Sequence, residues 1–150
     1  PRKKYHSPLP EIRMHLPLRE GVADDVYLVT TSDFMAIYAA NNICRGIAKY
    51  AQENEVRLAG IIYNGRSGCS DPKRVERFAE AIGTQVIGCV PMSGQIGQAE
   101  IARKTVVEMA PDCEAALAFR AIADKMIAGN PRCIPHPLLD EEVEQLCGLQ

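Results

Sequence analysis

Apolar residues in this chain fall into three short runs, separated by stretches in which they recur every third or fourth position. The first run, VYLVTT, predicts a strand over Tyr27–Thr31. Asp24 and Asp25 precede it, and Ser32 and Asp33 follow it with side-chain oxygens suited to cap the next helix. That helix extends to about Gln52, and Ile37, Ala40, Ile43, Ile47 and Tyr50 form the stripe it lays on a sheet. Gly46, inside it, marks a close approach of backbones. The second run, VRLAGIIY over Val56–Tyr63, is nearly continuous in apolar character, as in a parallel sheet covered on both faces. The turn-forming loop NGRSGCSDP follows. Pro72 then stands in the first turn of a helix, PKRVERFAEAIG, that ends on a C′ glycine at Gly83.

The third run gives a strand over Gln85–Val90, closed by Pro91. The loop MSGQIG leads to a short helical segment around Ala99–Lys104, and TVVEM reads as another extended piece. Pro111 opens the last long helix, with Ala115, Phe119, Ile122, Ala123 and Met126 on one face, and Gly129 with Pro131 stops it. The tail NPRCIPHPLL is extended, and LLDEEVEQLCG forms a final amphipathic helix. Strand and helix alternate as in a doubly wound α/β sheet with right-handed crossovers. Three strands make only half of such a sheet, so its edge and adjoining apolar surface are exposed unless something covers them, and self-association is expected. Asn41 and Asn42, costly in mid-helix, need polar partners, expected from missing sequence or a second subunit.

With 150 residues the chain is long enough for one domain with a core. Its 17 Lys and Arg against 19 Asp and Glu leave no electrostatic footprint for nucleic acid. No apolar stretch reaches the ~20 residues that span a bilayer, and PRKKYHSPLP lacks the apolar centre of an export signal, so a cytoplasmic protein is expected. Cys44, Cys69, Cys89, Cys113, Cys133 and Cys147 are irregularly spaced with no C-x-x-C pair, which favours free thiols. Cys133 and His136 form a lone C-x-x-H, too few ligands for a metal site and better read as a proline-bound loop.

The segment GIIYNGRS, Gly60–Ser67, imitates a phosphate loop with arginine in place of lysine. Its middle residues Ile61, Ile62 and Tyr63 are strand, whereas a phosphate loop needs small residues whose N–H groups converge after the strand. Asn64 stands at the carboxyl end of the second strand, where ligands of open α/β sheets bind. Its amide suits the edge of a purine, and it equally suits the start of the turn before Gly65. Val90, Pro91, Met92, Ser93 and Gly94 occupy the equivalent place after the third strand, so the two loops line one cleft. Neither Ser67 nor Ser93 has a histidine nearby in sequence, and no nucleophile-and-base pair is found.

The stretches FMAIYAANNI, GIAKYA, VRLAGIIYN-x-R, GTQVIGCVP, QAEI-x-R-x-TVVE and IPHPLLDEEVEQL together resemble the C-terminal half of the nitrogenase iron protein family, from about Leu16 to the end. The likeness includes LPLRE before the first strand, and YAANNI separates it from the related dark-operative protochlorophyllide reductase subunit. The resemblance implies half of a mostly parallel sheet of the P-loop NTPase type over residues 16–129, after a divergent basic segment 1–15 and before an extended tail with a short helix over 130–150. It implies a homodimer that binds MgATP in each subunit, holds one [4Fe-4S] cluster between them and passes electrons to a nitrogenase-like metalloprotein. On that likeness Asn64, Val90, Pro91, Met92, Ser93, Gly94 and Phe119 lie on the adenine side of the nucleotide.

This chain departs from the family pattern at several places. The phosphate loop, the switch regions and the cluster cysteines belong to the other half of the family's sequence. The second cluster cysteine is expected near Glu11, where the segment reads PRKKYHSPLPEIRM. Met92-Ser93 replaces an Arg-Asp pair, Ala115 a glutamine and Phe119 a tyrosine. Without those anion-cradling and iron-ligating parts the expectation is a fragment or degenerate copy of an ATP-dependent oxidoreductase, inactive by itself, with no catalytic or metal-binding residue of its own. The alternatives are a non-catalytic interaction or dimerisation module that pairs with a complete iron protein subunit, and a weak nucleotide-binding module.

Overall fold

The computed structural model describes residues 24–65 and 71–149. The basic segment 1–15, the LPLRE stretch, the position near Glu11 and residues 66–70 of the loop after the second strand lie outside them. In chain order the elements are β1 (Asp25–Thr30), α1 (Phe34–Tyr50), β2 (Arg57–Asn64), α2 (Pro72–Ala81), β3 (Val86–Val90), α3 (Gly94–Ile101), α4 (Val106–Met109), α5 (Glu114–Ala128) and α6 (Asp140–Cys147). The strands form one parallel sheet in the order β1-β2-β3, with Leu28 beside Ile61 and Asn64 beside Val90.

One face of the sheet carries the main core. Ile37, Ala40, Cys44 and Ile47 of α1, Val75, Phe78 and Ala79 of α2, and Val143 and Cys147 of α6 close over Leu28, Leu58, Ile61 and Tyr63. The stripe predicted for α1 is this buried edge, except that Tyr50 is 41% exposed. On the other face Ile87 and Val90 of β3 meet Ile122 of α5, with Ile62 of β2, Tyr27 of β1 and Ile96 of α3 half-buried against them. A Cβ on Gly88 would stand 2.3 Å from Ile122 Cγ1, so only glycine lets α5 approach β3 this closely. Gly83 follows α2 at φ +87°, the left-handed cap its position predicts.

Several local expectations are corrected. TVVEM is not extended: Thr105 caps a single helical turn, taking the Glu108 N–H at 3.2 Å while Glu108 Oε2 accepts from the Thr105 N–H at 2.8 Å. This T-x-x-E capping box outweighs the strand preference of two valines. α3 begins at Gly94 rather than near Ala99, because the Ser93 hydroxyl takes the Gln95 N–H and starts the helix there. α5 begins at Glu114, three residues after Pro111, with Cys113 Sγ accepting from Ala116 N at 3.4 Å. Of the face predicted for α5 only Ala115 and Ile122 are buried; Phe119 and Met126 are 41% and 39% exposed, and Ala116 is buried in their stead. Asp33 is the N-cap of α1 without a side-chain capping bond, its carboxylate accepting from the Thr31 hydroxyl.

The tail from Asn130 to Leu138 is a strap that carries α6 onto the core. Cys133 exchanges backbone hydrogen bonds with Leu58, and His136 N–H donates to Ile82 O at 3.0 Å. Arg132 meets Asp25 at 2.6 Å, and Arg45 meets Asp140 at 2.7 Å. The fully buried Asn41 amide donates to Leu138 O and accepts from Leu138 N, each at 2.9 Å. The partner expected from missing sequence or a second subunit is therefore the chain's own strap, and Asn42 accepts from Arg45. Replacing Asn41 by alanine strips the Leu138 N–H of its acceptor, while Arg45 still serves its carbonyl. Asn41→Ala is expected to cost about 2 kcal/mol in urea denaturation and to expose the strap to protease before the rest of the fold opens.

Candidate functional site at the carboxyl ends of β2 and β3

Asn64 is the last residue of β2 and is exposed, directly across from Val90, the last residue of β3. One residue on, Gly65 N–H donates to Val90 O at 2.8 Å. A Cβ on Gly65 would lie 3.1 Å from that oxygen, so a glycine here keeps the two loops in contact. Beyond Val90 the chain runs through half-buried Pro91 and Met92, which is 67% exposed, to Ser93, where α3 begins. Six of the seven sequence-predicted residues, Asn64 and Val90 to Gly94, thus form one rim.

Phe119 reaches the same end of the sheet by another route. Lys125 Nζ donates to Ile87 O at 2.6 Å and Ile122 packs on Gly88, so α5 runs against the direction of β3. Phe119, one turn before Ile122, is carried toward Val90. Ala115, where the family resemblance expects a glutamine, is fully buried with Ala99 and Val106 between α3, α4 and α5. A longer polar side chain there would enter an apolar contact instead of a cleft.

A clamp that sequence reasoning missed holds the neighbouring loops. Ser32 is 1% exposed; its Oγ accepts from the Asp71 N–H at 3.1 Å and its carbonyl from Arg74 Nη1 at 2.9 Å. Asp71 in turn caps α2 through the Arg74 N–H at 3.2 Å. Asp71-Pro72 signals the helix start, but no local pattern announces a bond across 39 positions.

The thiols do not assemble into a centre. Among the described residues no three His, Cys, Asp or Glu side chains stand where they could share a metal ion. Burial pushes the Cys44 thiol up to about 12, with Cys133 adding to the rise. Burial also raises Cys89, Cys133 and Cys147, opposed at Cys133 by the Thr84 hydroxyl and at Cys147 by Arg74 and Arg77. His136 packs against Gly83 with its Nδ1 3.3 Å from where a Cβ would be, while Cys133 bridges to Leu58.

Comparison with known proteins decides the family. Residues 13–149 match the model of 4Fe-4S iron sulfur cluster binding proteins, NifH/frxC family. This chain belongs to that family. It is 47% identical over 131 residues to a nitrogenase iron protein of Methanococcus voltae, covering 87% of this chain and 47% of that one. It is 41% identical to nitrogenase iron protein 1 of Methanothermobacter thermautotrophicus, with 87% and 48% covered. The chain therefore spans about half the length of these relatives. Among solved structures, the cell division ATPase MinD of Pyrococcus furiosus superposes with a TM-score of 0.60 at 16% identity, over 70% of this chain and 43% of its own. MinD of Pyrococcus horikoshii, complexed with Mg-ADP, gives 0.59 at 16% identity, over 71% and 43%. These neighbours agree with the expected fold, half of a parallel P-loop NTPase sheet. No described helix is long and apolar enough to cross a membrane.

Cys44 makes stability depend on pH in a defined direction. The folded state holds its thiol proton up to about 12, whereas an unfolded cysteine releases it near about 8.5. Its contribution is complete below that lower value and is lost as pH rises through the interval between them. The urea midpoint is expected to fall more steeply above pH ~9 in the wild type than in Cys44→Ala.

Proposed function

We propose that this chain is the base-side half of a nitrogenase iron protein-like reductase. In the complete assembly, MgATP hydrolysis drives electrons from a shared [4Fe-4S] cluster to a nitrogenase-like metalloprotein, with a second iron protein-like subunit completing the dimer. Asn64, Val90, Pro91, Met92, Ser93, Gly94 and Phe119 meet the adenine side. Phosphate, Mg²⁺ and iron are handled by residues outside those described. The observation that carries this reading is the pairing of Asn64 with Val90, tied by the Gly65-to-Val90 hydrogen bond, in a member of this family. An amide presents donor and acceptor in one plane, matching the edge of a neutral base. Among the described residues Asn64 and Val90 to Gly94 give the rim uncharged side chains.

By this reading the 150 residues alone neither turn over ATP nor assemble a cluster, because no electrostatic stabilisation of a transferring phosphoryl group and no paired thiolates are at hand. Base-side contacts alone support only millimolar affinity, about −4 kcal/mol. Calorimetry is expected to detect adenosine and ATP binding with dissociation constants within about threefold of each other, and no binding to Asn64→Ala. A strong preference for ATP over adenosine would place recognition on the phosphates and overturn the assignment. Absence of heat with either ligand at millimolar concentration would remove the rim as a binding site.

A further inference from the structure

We infer that Ser32 and Arg74 are positioning residues for the rim: they hold the far end of the loop that begins at Asn64, and so fix how the Asn64 amide is presented to a base. The inference rests on the base-side reading above and names the residues through which the β1 turn and α2 serve it.

The carboxyl ends of the three strands stand side by side. Thr30, the last residue of β1, pairs with Tyr63, and Asn64, the next residue of β2, pairs with Val90. The chain leaving Asn64 is tied to a neighbour on each flank. Gly65 N–H donates to Val90 O at 2.8 Å on the β3 side, and Asp71 N–H donates to Ser32 Oγ at 3.1 Å on the β1 side, just beyond Thr30. A loop held at one end swings about that end. Held at both, it keeps the residue at its root in one arrangement, so that binding costs less ordering.

Both bonds to Ser32 serve groups that helix geometry leaves over. Asp71 is the N-cap of α2, so its N–H has no partner inside the helix; a glutamate at N3 would supply one, but N3 is Arg74. The Ser32 hydroxyl takes that role from the neighbouring strand end. Ser32 itself precedes the N-cap of α1, and at 1% exposure its carbonyl needs a donor from within the protein. Arg74 Nη1 provides it at 2.9 Å. The helix dipole disfavours a cation in the first turn of α2, and Arg74 Nε stands 3.6 Å from Asp71 Oδ2, beyond hydrogen-bond length. The guanidinium is thus turned past a carboxylate on its own helix toward a neutral carbonyl on the β1 turn. An arginine serving α2 alone would close on Asp71 instead.

The test uses the whole 150-residue chain, with adenosine as the probe and the Gly65 amide as a readout that needs no ligand. Ser32→Ala and Arg74→Gln are expected to speed exchange of that amide about tenfold or more, and to raise the adenosine dissociation constant about threefold or more, at a temperature where each variant is folded. Arg74→Lys, which keeps a donor for the Ser32 carbonyl, is expected to return both to within about twofold of wild type. Asn41→Ala loosens the strap and lowers stability away from the rim, so it leaves both readouts unchanged. An unaltered Gly65 amide in Ser32→Ala and Arg74→Gln, equal acceleration in Asn41→Ala, or a faster amide with an unaltered adenosine constant would each overturn the positioning role. A wild-type chain that binds no adenosine, while the two variants still free the Gly65 amide, would leave Ser32 and Arg74 standing as the anchor of the loop and overturn the base-side reading instead.

Discussion

Parallel strands carry apolar side chains toward both faces of their sheet, so such a sheet is secure only where helices lie on both. Three helices satisfy this on one side of the present sheet, and the third, α6, arrives by way of the strap. Its arrival depends on the Asn41 amide, which replaces, for both backbone groups of Leu138, the hydrogen bonds that water would otherwise supply. Val143 and Cys147 can then enter the core beside α2. On the other side α5 is held against β3 by a glycine and a lysine, and Ile96 of α3 and Tyr27 of β1 pack against the same cluster.

The rim follows from the same sheet geometry. A register irregularity between Ile61 and Ile62 shifts the upper part of β2 against β3, so that both strands end level at Asn64 and Val90. Level ends put two loops side by side, and Gly65 closes the gap that any other side chain would hold open. The buried Ser32 carbonyl and hydroxyl then fix the β1 loop to the start of α2, which keeps the neighbouring end of the sheet from splaying.

Most of the architecture was legible along the chain because it is written locally. Continuous apolar runs set the three strands, the periodicity of Ile37, Ala40 and Ile47 set the buried edge of α1, and Pro72 and Gly83 bracketed α2. The errors came where two local signals competed or where the deciding contact was distant. In TVVEM the β-branched pair spoke for a strand and Thr105 with Glu108 for a helix turn; reciprocal capping of four residues prevailed. Asn41 could be recognised as needing a partner, but nothing near it in sequence pointed 97 positions ahead to Leu138. The α5 face misled for a different reason: its periodicity describes a helix covered along its length, while the described sheet covers it around Ile122 and α3 with α4 cover it around Ala115. Within the site, strand ends were readable and so was the pairing of their loops; the Ser32 clamp joins side chains to backbone groups about 40 positions away and left no local pattern.

The charges placed among the described residues are consistent with the proposed base-side reading of this rim. Among the described residues three arginines are engaged within the fold: Arg45 with Asp140, Arg132 with Asp25, and Arg74 with both Asp71 and the Ser32 carbonyl. The Arg74 guanidinium, beside the Asp71 carboxylate, could turn to an anion only by giving up its hydrogen bond to the Ser32 carbonyl. Asn64 and the residues from Val90 to Gly94 bring amide, hydroxyl, thioether and backbone groups in their place, and these form hydrogen bonds without demanding a counter-charge. A neutral heterocycle meets that requirement. On the proposed reading, these described arginines serve the fold and uncharged groups meet the base.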